Sequence, residues 1–272
     1  MIDALKDIKL AIFDLDGVIY RGKELIPNAD LALKELKNQG IKIAFNSNNS
    51  TETREMYVEK LKKFSIDANV SEIYTSAFIA AKIISQIKRN ANIYVIGEIG
   101  LIEELKSMGH FIAEMNFNHE LIDFIVVGLD RNFHYDKLAF AQKCILQGKA
   151  RFFATNTDST LPVPGGLLPG AGVMVNALTT CTGKQPEQIF GKPEPIGIKI
   201  ILKNFNVKPK NAIIFGDRLN TDILAGNRAS IKTALVLTGV TSREDLSNLK
   251  NEEFFDKQLL PDFIFESLMD IF

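Results

Sequence analysis

Short apolar runs alternate with longer stretches of helical periodicity along the whole chain, and this alternation constrains the fold more than any other feature. The apolar runs predict buried strands at 9–13, 41–45, 92–96, 123–127, 151–154, 212–215 and 233–237. Helical patterns fill the intervals between these runs, at 27–39, 51–64, 76–89, 98–108, 135–147, 172–182, 195–205 and 221–229. Such alternation predicts an α/β fold, in which a mainly parallel sheet carries helices on its faces.

Composition excludes several classes of protein. The 272 residues suffice for a sizeable core in one large or two modest domains. A net charge of −1 gives no electrostatic reason to expect a nucleic acid or an anionic membrane as a partner. No apolar run approaches the roughly 18 residues of a membrane span, and charged residues interrupt the amino terminus, so we expect neither a membrane anchor nor a signal peptide. Because Cys144 and Cys181 are the only cysteines, the simplest interpretation is a soluble protein of a reducing cytoplasm.

One segment interrupts the pattern. Residues 161–172 contain three prolines and four glycines, which predicts a loop rather than a packed element. A loop of this length is either functional or a connector between domains, and composition does not separate the two.

Polar side chains follow three of the predicted strands at the points where these strands end. Asp14 and Asp16 follow the first strand, the segment 46–50 (Asn-Ser-Asn-Asn-Ser) follows the second, and Asp217 and Asp222 follow the strand at 212–215. In open parallel sheets, ligands bind beyond the carboxyl ends of the strands, so these groups are expected at one edge of the sheet. Carboxylates gathered in this way repel each other unless a cation binds them, and Mg²⁺ suits a site that also receives a phosphate. An EF-hand is excluded, because apolar residues occupy positions at which that calcium loop needs ligands and a glycine.

A cation held beside a carboxylate is suited to phosphoryl transfer. One aspartate can attack phosphorus and form an aspartyl phosphate, and a second carboxylate can protonate the leaving oxygen and then activate water. Lys192 is the candidate that neutralises the oxygens of the transferring group. The Ser47 hydroxyl and the amides of Asn48 and Asn49 are candidate hydrogen-bond donors to the substrate.

Each of these motifs has a structural alternative when it is taken alone. Asp-x-Asp-Gly is typical of a turn or a helix cap, and Ser-Asn-Asn-Ser is typical of a helix N-cap. Asp222 could cap its own helix, and Lys192 could lie on a solvated loop.

Taken together and in this order, the motifs resemble those of the haloacid dehalogenase superfamily of aspartate-nucleophile phosphatases. The first motif of that family is matched by Asp14 to Val18, the second by Ser47, the third by Lys192 and the fourth by Asp217 with Asp222. Further segments are similar to the NagD-like branch, which includes p-nitrophenyl-, phosphoglycolate and pyridoxal phosphatases. These segments are SNNSTETR (47–54), YVIGEIGL (94–101), ATNTD (154–158), PGAG (169–172), GKPEP (191–195), GDRLNTDILAG (216–226) and LTGV (237–240).

The resemblance implies a Rossmann-like core with a parallel sheet and an inserted α/β cap of class IIA. It places the core at 1–80 and 188–272 and the cap at 81–187. It implies Mg²⁺ as the cofactor, bound by the Asp14 carboxylate, the Asp16 backbone carbonyl and Asp217, with Asp222 holding metal-bound waters or Lys192. The implied activity is the hydrolysis of small phosphate monoesters, with a small phosphorylated metabolite as the partner.

Several alternative functions fit the sequence less well. A metal-independent dehalogenase would not need Asp16, and a phosphomutase cap has no room in the roughly 30 residues between the first two motifs. A phosphometabolite-binding protein that has kept the fold without turnover is the non-enzyme alternative. The three histidines, His110, His119 and His134, lack metal-ligand spacing and are expected to be ordinary surface or cap residues. Neither a Walker loop nor a dinucleotide glycine fingerprint is present, so no nucleotide cofactor is expected, and a homo-oligomer stays open.

Overall fold

The computed structural model describes residues 5–163, 165–251 and 256–272. The strands in chain order are β1 (Leu10–Phe13), β2 (Tyr20–Arg21), β3 (Glu24–Leu25), β4 (Lys42–Ser47), β5 (Ile73–Thr75), β6 (Asn92–Ile96), β7 (Phe111–Ile112), β8 (Phe124–Val127), β9 (Arg151–Ala154), β10 (Thr160–Val163), β11 (Gly166–Pro169), β12 (Gln188–Ile189), β13 (Ala212–Gly216), β14 (Lys232–Val236) and β15 (Phe263–Phe265). The α-helices are α1 (Ala29–Asn38), α2 (Arg54–Lys63), α3 (Ser76–Ile87), α4 (Ile99–Ser107), α5 (Tyr135–Leu146), α6 (Ala171–Thr182), α7 (Ile196–Phe205), α8 (Leu224–Arg228) and α9 (Arg243–Asn251), and a π-helical turn, Leu219–Ile223, precedes α8.

The chain divides into two compact units. The first comprises Met1–Ser47, Val58–Tyr74 and Lys192–Phe272, and the second comprises Asn48–Tyr57 and Thr75–Gly191. The predicted cap, 81–187, lies within the longer segment of the second unit, and its boundaries stay a prediction.

The first unit is built on a six-stranded sheet with the order β15-β14-β13-β1-β4-β5. The central strand β1 pairs in parallel with both β13 and β4, and its four residues are all buried. Phe13 stands in register with Phe215 and Phe45, and its ring stacks on that of Phe215 at 4.9 Å between centroids. An apolar strand buried on both faces is what a parallel sheet covered by helices requires. The carboxyl ends of β1, β4 and β13 therefore lie side by side.

The second unit has its own parallel sheet, in the order β12-β9-β8-β6-β7, and its own apolar core. His110 is buried in this unit, with only 5% of it exposed, so it is not a surface residue. Its Nδ1 accepts the Ala91 N–H at 3.2 Å, and its Nε2 lies 2.8 Å from Ser85 Oγ, which itself donates to the Ala81 carbonyl. These contacts hold a neutral imidazole with its proton on Nε2.

Every predicted strand is present, with ends that differ by at most two residues, and the α/β fold is confirmed.

The predicted loop at 161–172 is wrong, because β10 and β11 form an antiparallel hairpin there and α6 begins at Ala171. Thr160 pairs with Pro169, and Val163 pairs with Gly166. Proline is tolerated in a two-stranded ribbon, where a strand has only one partner and its other edge needs no N–H donor.

Among the helices in the described part of the chain, none is both long and apolar enough to cross a membrane.

Candidate active site

The loop after β1 presents the first two candidate carboxylates. The Asp14 N–H donates to the Phe215 carbonyl at 2.9 Å, which extends the β1–β13 pairing by one residue. The chain then turns at Gly17, whose φ of +86° favours glycine and whose N–H donates to the Tyr20 carbonyl at 2.8 Å. Asp14 is half-buried and Asp16 is exposed, so the two carboxylates differ in their access to water.

The Lys192 side chain makes hydrogen bonds to residues in three separate segments of the chain. Its side chain is buried, and Nζ donates to Asp14 Oδ1 at 2.6 Å, to the Asn46 carbonyl at 2.8 Å and to Asp222 Oδ1 at 2.6 Å. These contacts use all three N–H donors of the ammonium group. Burial alone would lower the pKa of Lys192, but the two adjacent carboxylates raise it above its ordinary value, so the group stays charged.

Asp222 and Asp217 follow β13 and are both buried. Asp222 uses both oxygens within the protein, since Oδ1 accepts from Lys192 and Oδ2 accepts from the Arg218 N–H at 3.1 Å. Asp217 Oδ2 accepts the Val240 N–H at 2.8 Å, whereas Asp217 Oδ1 is buried with no hydrogen-bond partner among the described residues. Burial, reinforced by the neighbouring carboxylates of Asp222 and Asp14, raises the pKa of Asp217 to about 8.

Asp14 belongs to the same electrostatic cluster. Burial raises its pKa to about 7, although the Lys192 ammonium opposes this shift. One oxygen each from Asp14, Asp217 and Asp222 lie within 4.8 Å of one another, and the Lys192 ammonium group pairs with Asp14 and Asp222. This arrangement carries excess negative charge, which raises the pKa values of both Asp14 and Asp217.

The donors fit a hard divalent cation. A buried carboxylate oxygen without a partner is costly, and a cation that takes oxygen ligands removes that cost. Two glycines pack directly against the Asp217 carboxylate, because a Cβ added to Gly17 or Gly239 would lie 2.4 or 2.0 Å from Asp217 Oδ2. Since Asp222 has both oxygens engaged, Asp14 and Asp217 are the carboxylates best placed to bind magnesium.

Asp16 has a different environment. Partial burial raises the pKa of Asp16, and the positive charges of Lys60, Arg218 and Arg21 oppose this shift. Sequence reasoning did not single out these three cations.

The predicted substrate donors divide between the two units. Ser47 ends β4 in the first unit and is buried, and the carbonyl of the preceding Asn46 accepts from Lys192. Asn48 and Asn49 belong to the second unit. There Asn48 Nδ2 donates to Asp158 Oδ2 at 3.0 Å, and Asn49 Oδ1 accepts the N–H and hydroxyl of Thr51 at 2.9 and 2.8 Å. The Asn49 contacts form a local turn ahead of α2, which begins at Arg54, so Asn49 does not cap that helix, and the contact of both amides with substrate stays a prediction.

Two backbone groups that contact the site residues were not predicted from the sequence. They are the Asn46 carbonyl, which receives a lysine proton, and the Gly239–Val240 backbone, which packs on Asp217 and donates to it. The Gly239–Val240 backbone lies in the segment LTGV (237–240), which resembles the corresponding segment of the family. That resemblance indicated no role for it, because a pattern of side chains does not show what a backbone group contacts.

Comparison with known families and proteins agrees with this geometry. The family model for haloacid dehalogenase-like hydrolases matches residues 11–110, and a HAD-hydrolase-like model matches residues 189–271. The 5'-nucleotidase YutF of Bacillus subtilis is 38% identical over 244 residues, which cover 90% of this chain and 93% of that protein.

Solved structures share the fold across nearly the whole chain. The p-nitrophenyl phosphatase of Archaeoglobus fulgidus has a TM-score of 0.88 and 34% identity, and covers 97% of this chain and 98% of its own. A glycerol phosphate phosphatase of Mycobacterium tuberculosis, solved in complex with magnesium, also has a TM-score of 0.88, with 29% identity over 100% of this chain and 78% of its own. The chain is therefore a NagD-like member of the haloacid dehalogenase-like hydrolase family.

Proposed function

We propose that this protein is a magnesium-dependent phosphatase that hydrolyses small phosphate monoesters through an aspartyl-phosphate intermediate on Asp14. The observation that carries the proposal is the buried cluster in which Lys192 binds both Asp14 and Asp222 while Asp217 keeps an unpartnered oxygen. That cluster has a carboxylate for attack, an ammonium group for charge neutralisation and oxygen ligands for a cation.

Asp14 is the nucleophile in this proposal. One of its carboxylate oxygens attacks phosphorus, and the bond between phosphorus and the ester oxygen breaks as the aspartyl phosphate forms. Lys192 fixes the orientation of the Asp14 carboxylate through the 2.6 Å hydrogen bond to Oδ1 and places a positive charge beside the transferring group.

Asp16 is the proton donor and then the base. It gives a proton to the departing ester oxygen, so that an alcohol leaves rather than an alkoxide. In the second step its carboxylate takes a proton from water, the water oxygen attacks phosphorus, and the bond to Asp14 breaks to release inorganic phosphate. The exposed position of Asp16 suits a group that exchanges protons with leaving group and solvent in turn.

The Asp14 carboxylate, the Asp16 backbone carbonyl and Asp217 would hold magnesium, and Asp222 keeps Lys192 in place. When bound, magnesium neutralises the clustered carboxylates and polarises the phosphoryl group. Ser47, Asn48 and Asn49 are the proposed hydrogen-bond donors to the phosphate.

The substrate class follows from the relatives only at a coarse level. Their names refer to nucleotides, glycerol phosphate and p-nitrophenyl phosphate, which have in common a single transferable phosphoryl group on a small leaving group. A small phosphorylated metabolite is therefore the proposed substrate. The unpaired thiols of Cys144 and Cys181 fit a reducing cytoplasm as the compartment.

Hydrolysis of p-nitrophenyl phosphate tests the proposal. The wild type, with magnesium and with EDTA, is compared with the Asp14→Asn protein, whose folding is checked by circular dichroism. We expect release of p-nitrophenol that requires magnesium and is abolished by the substitution. A folded wild type that hydrolyses neither this ester nor a panel of phosphometabolites would favour a binding protein without turnover.

A further inference from the structure

The loop 237–240, which follows β14, lies directly against the carboxylate of Asp217. The Val240 N–H donates to Asp217 Oδ2 at 2.8 Å, and the Thr241 N–H, just beyond the loop, donates to the Asp217 backbone carbonyl at 3.1 Å. A Cβ added to Gly239 would lie 2.0 Å from Asp217 Oδ2, so the loop has no room for a side chain at this position. The loop therefore engages Oδ2 through its backbone, whereas Oδ1 is buried with no hydrogen-bond partner among the described residues.

The turn after β1 contacts the same carboxylate. A Cβ added to Gly17 would lie 2.4 Å from Asp217 Oδ2 and 3.2 Å from the Gly239 Cα, so the turn and the loop both approach the carboxylate closely. Gly17 directly follows Asp16, whose backbone carbonyl is a proposed magnesium ligand. Two backbone segments from distant parts of the chain thus define the position of Asp217, and each has a glycine at the point of contact.

Thr238 connects the loop to the turn by hydrogen bonds in both directions. Its hydroxyl donates to the Gly17 carbonyl at 2.7 Å, and its backbone carbonyl accepts a hydrogen bond from the Arg21 guanidinium. Gly239 has no side chain, and that of Val240 is apolar and largely exposed, so neither can donate such a hydrogen bond. The Thr238 hydroxyl is therefore the side-chain group through which this loop holds the Gly17 turn.

We propose that Thr238 is a positioning residue of the magnesium site, whose hydroxyl fixes the loop 237–240 against Gly17 so that the loop holds the Asp217 carboxylate in the orientation that binds the cation. This inference rests on the proposed function, because it needs Asp217 to be a magnesium ligand. A carboxylate that a hydrogen bond already orients loses less rotamer freedom when it binds a cation. Residues that orient metal ligands in this way typically change metal affinity by about 10- to 100-fold.

A purely structural role of the Thr238 hydroxyl makes a different prediction. If the hydroxyl only stabilised the loop, its removal would lower the melting temperature and leave the magnesium affinity of the folded protein unchanged. If it positions Asp217, its removal weakens magnesium binding by the folded protein. Magnesium affinity measured without substrate separates the two roles, because it does not depend on turnover.

The test is isothermal titration calorimetry of the metal-free protein with magnesium chloride, for the wild type, Thr238→Val and Thr238→Ser. Valine has nearly the shape of threonine but no hydroxyl, so we expect the dissociation constant for magnesium to rise about 10-fold or more. Serine keeps the hydroxyl and should restore the affinity of the wild type. The melting temperature of each metal-free variant shows that it is folded.

Thr233→Val is the matched control. Thr233 lies in the amino-terminal part of β14, whereas the loop follows the carboxyl end of that strand, and its hydroxyl accepts the Asp262 N–H at 3.1 Å. The control therefore also loses a hydroxyl hydrogen bond in the same unit, but it should bind magnesium as the wild type does.

The outcomes separate failure of this inference from failure of the proposed function. Equal magnesium affinities of the wild type and Thr238→Val would overturn the positioning role and leave the proposed magnesium site in place. A loss of affinity that Thr238→Ser or Thr233→Val shares would also overturn it, because the loss would then not depend on the Thr238 hydroxyl. A folded wild type that binds no magnesium would overturn the proposed magnesium site itself, and this inference with it.

A second pair of variants covers the case in which Thr238→Val folds poorly because its added methyl group crowds the Gly17 carbonyl. Thr238→Ala is then compared with Thr238→Ser, since the two differ only by the hydroxyl. We expect the alanine variant to bind magnesium more weakly than the serine variant, and equal affinities of the two would overturn the proposal.

Discussion

Replacement of Asp217 by asparagine should stabilise the metal-free protein while impairing the proposed magnesium site. In the absence of a cation, Asp217 is a buried carboxylate beside Asp14 and Asp222, and its Oδ1 has no partner among the described residues. Asparagine keeps an oxygen that accepts the Val240 N–H. Its amide nitrogen would take the place of Oδ1, where it can donate to the neighbouring carboxylates.

The size of the gain follows from the raised pKa of Asp217. A pKa of about 8 against an ordinary 3.8 corresponds to a cost of at most about 6 kcal/mol for the ionised form in the folded state, at about 1.4 kcal/mol per pKa unit. Asp14 and Asp222 share the repulsion, so removal of one charge recovers only part of it. We expect Asp217→Asn to raise the free energy of unfolding by about 2–4 kcal/mol above pH 8.

The sign of the pH dependence is fixed by the direction of the pKa shift. The folded state binds the Asp217 proton more tightly than the unfolded state does, so the wild type loses stability as the pH rises from about 4 to about 8. The gain from the substitution should therefore be small at pH 5 and complete at pH 9. Magnesium should stabilise the wild type, because it binds only the folded state, and should stabilise the variant less.

Urea denaturation followed by circular dichroism measures these quantities, in EDTA at pH 5 and pH 9 and then with magnesium at pH 9. Asp67→Asn is the matched control, since Asp67 is exposed in the same unit and should change stability by no more than about 0.5 kcal/mol. A variant no more stable than the wild type at pH 9 in EDTA, or a gain that is equal at both pH values, would refute the reasoning.

Three further predictions concern other side chains. Asp16→Asn should lower kcat on an alkyl phosphate by about 10²- to 10⁴-fold while leaving the melting temperature unchanged, because this exposed side chain is the proposed general acid. Lys192→Met should cost about 3–5 kcal/mol of unfolding free energy, since it leaves two carboxylates without their buried partner, whereas Lys199→Met, at an exposed position, should be neutral in the same urea titration. Burial lowers the pKa of His110, so stability should fall as the pH drops below about 6.5, and His110→Asn should remove that part of the dependence.

Each of these has a contrary outcome that is easy to recognise. Unchanged turnover in Asp16→Asn would assign the proton to another group. A Lys192→Met protein as stable as Lys199→Met would mean that the carboxylates are not held as ions by the lysine. For His110, protonation would place a second donor opposite the Ala91 N–H, so a wild type with no acid-side loss beyond that of the variant would contradict the neutral tautomer.

The regular elements of the fold were predictable because buried strands and helix faces appear in the sequence as apolar runs and apolar periodicity. Strands such as β1 and β13 are apolar throughout, and helices such as α1 carry a clear stripe of buried residues. Short edge elements were not found, as for β7 with two residues and β15 with three, because so few positions show no periodicity. The hairpin of β10 and β11 was missed because its prolines and glycines suggest a loop, while pairing with a single neighbour tolerates them.

The residues of the candidate site were predictable from the sequence, whereas some of the contacts that hold them were not. Asp14, Lys192, Asp217 and Asp222 come from distant parts of the chain, yet each follows a strand end or a proline-flanked turn, so side-chain chemistry was enough to suggest them. The contacts that hold them come partly from backbone groups, such as the Val240 N–H, which no residue pattern reveals. Lys60 lay within the helical pattern at 51–64, which assigned it no role in the site.

The most direct test of the central claim is to trap the phosphoryl group on the protein. The wild type with magnesium is mixed with excess p-nitrophenyl phosphate, quenched in acid during turnover, digested and analysed by mass spectrometry. We predict one phosphoryl group on the peptide that contains Asp14 and none on the same peptide of the Asp14→Asn protein. Rapid turnover with no labelled peptide, or with the label on another residue, would contradict Asp14 as the nucleophile.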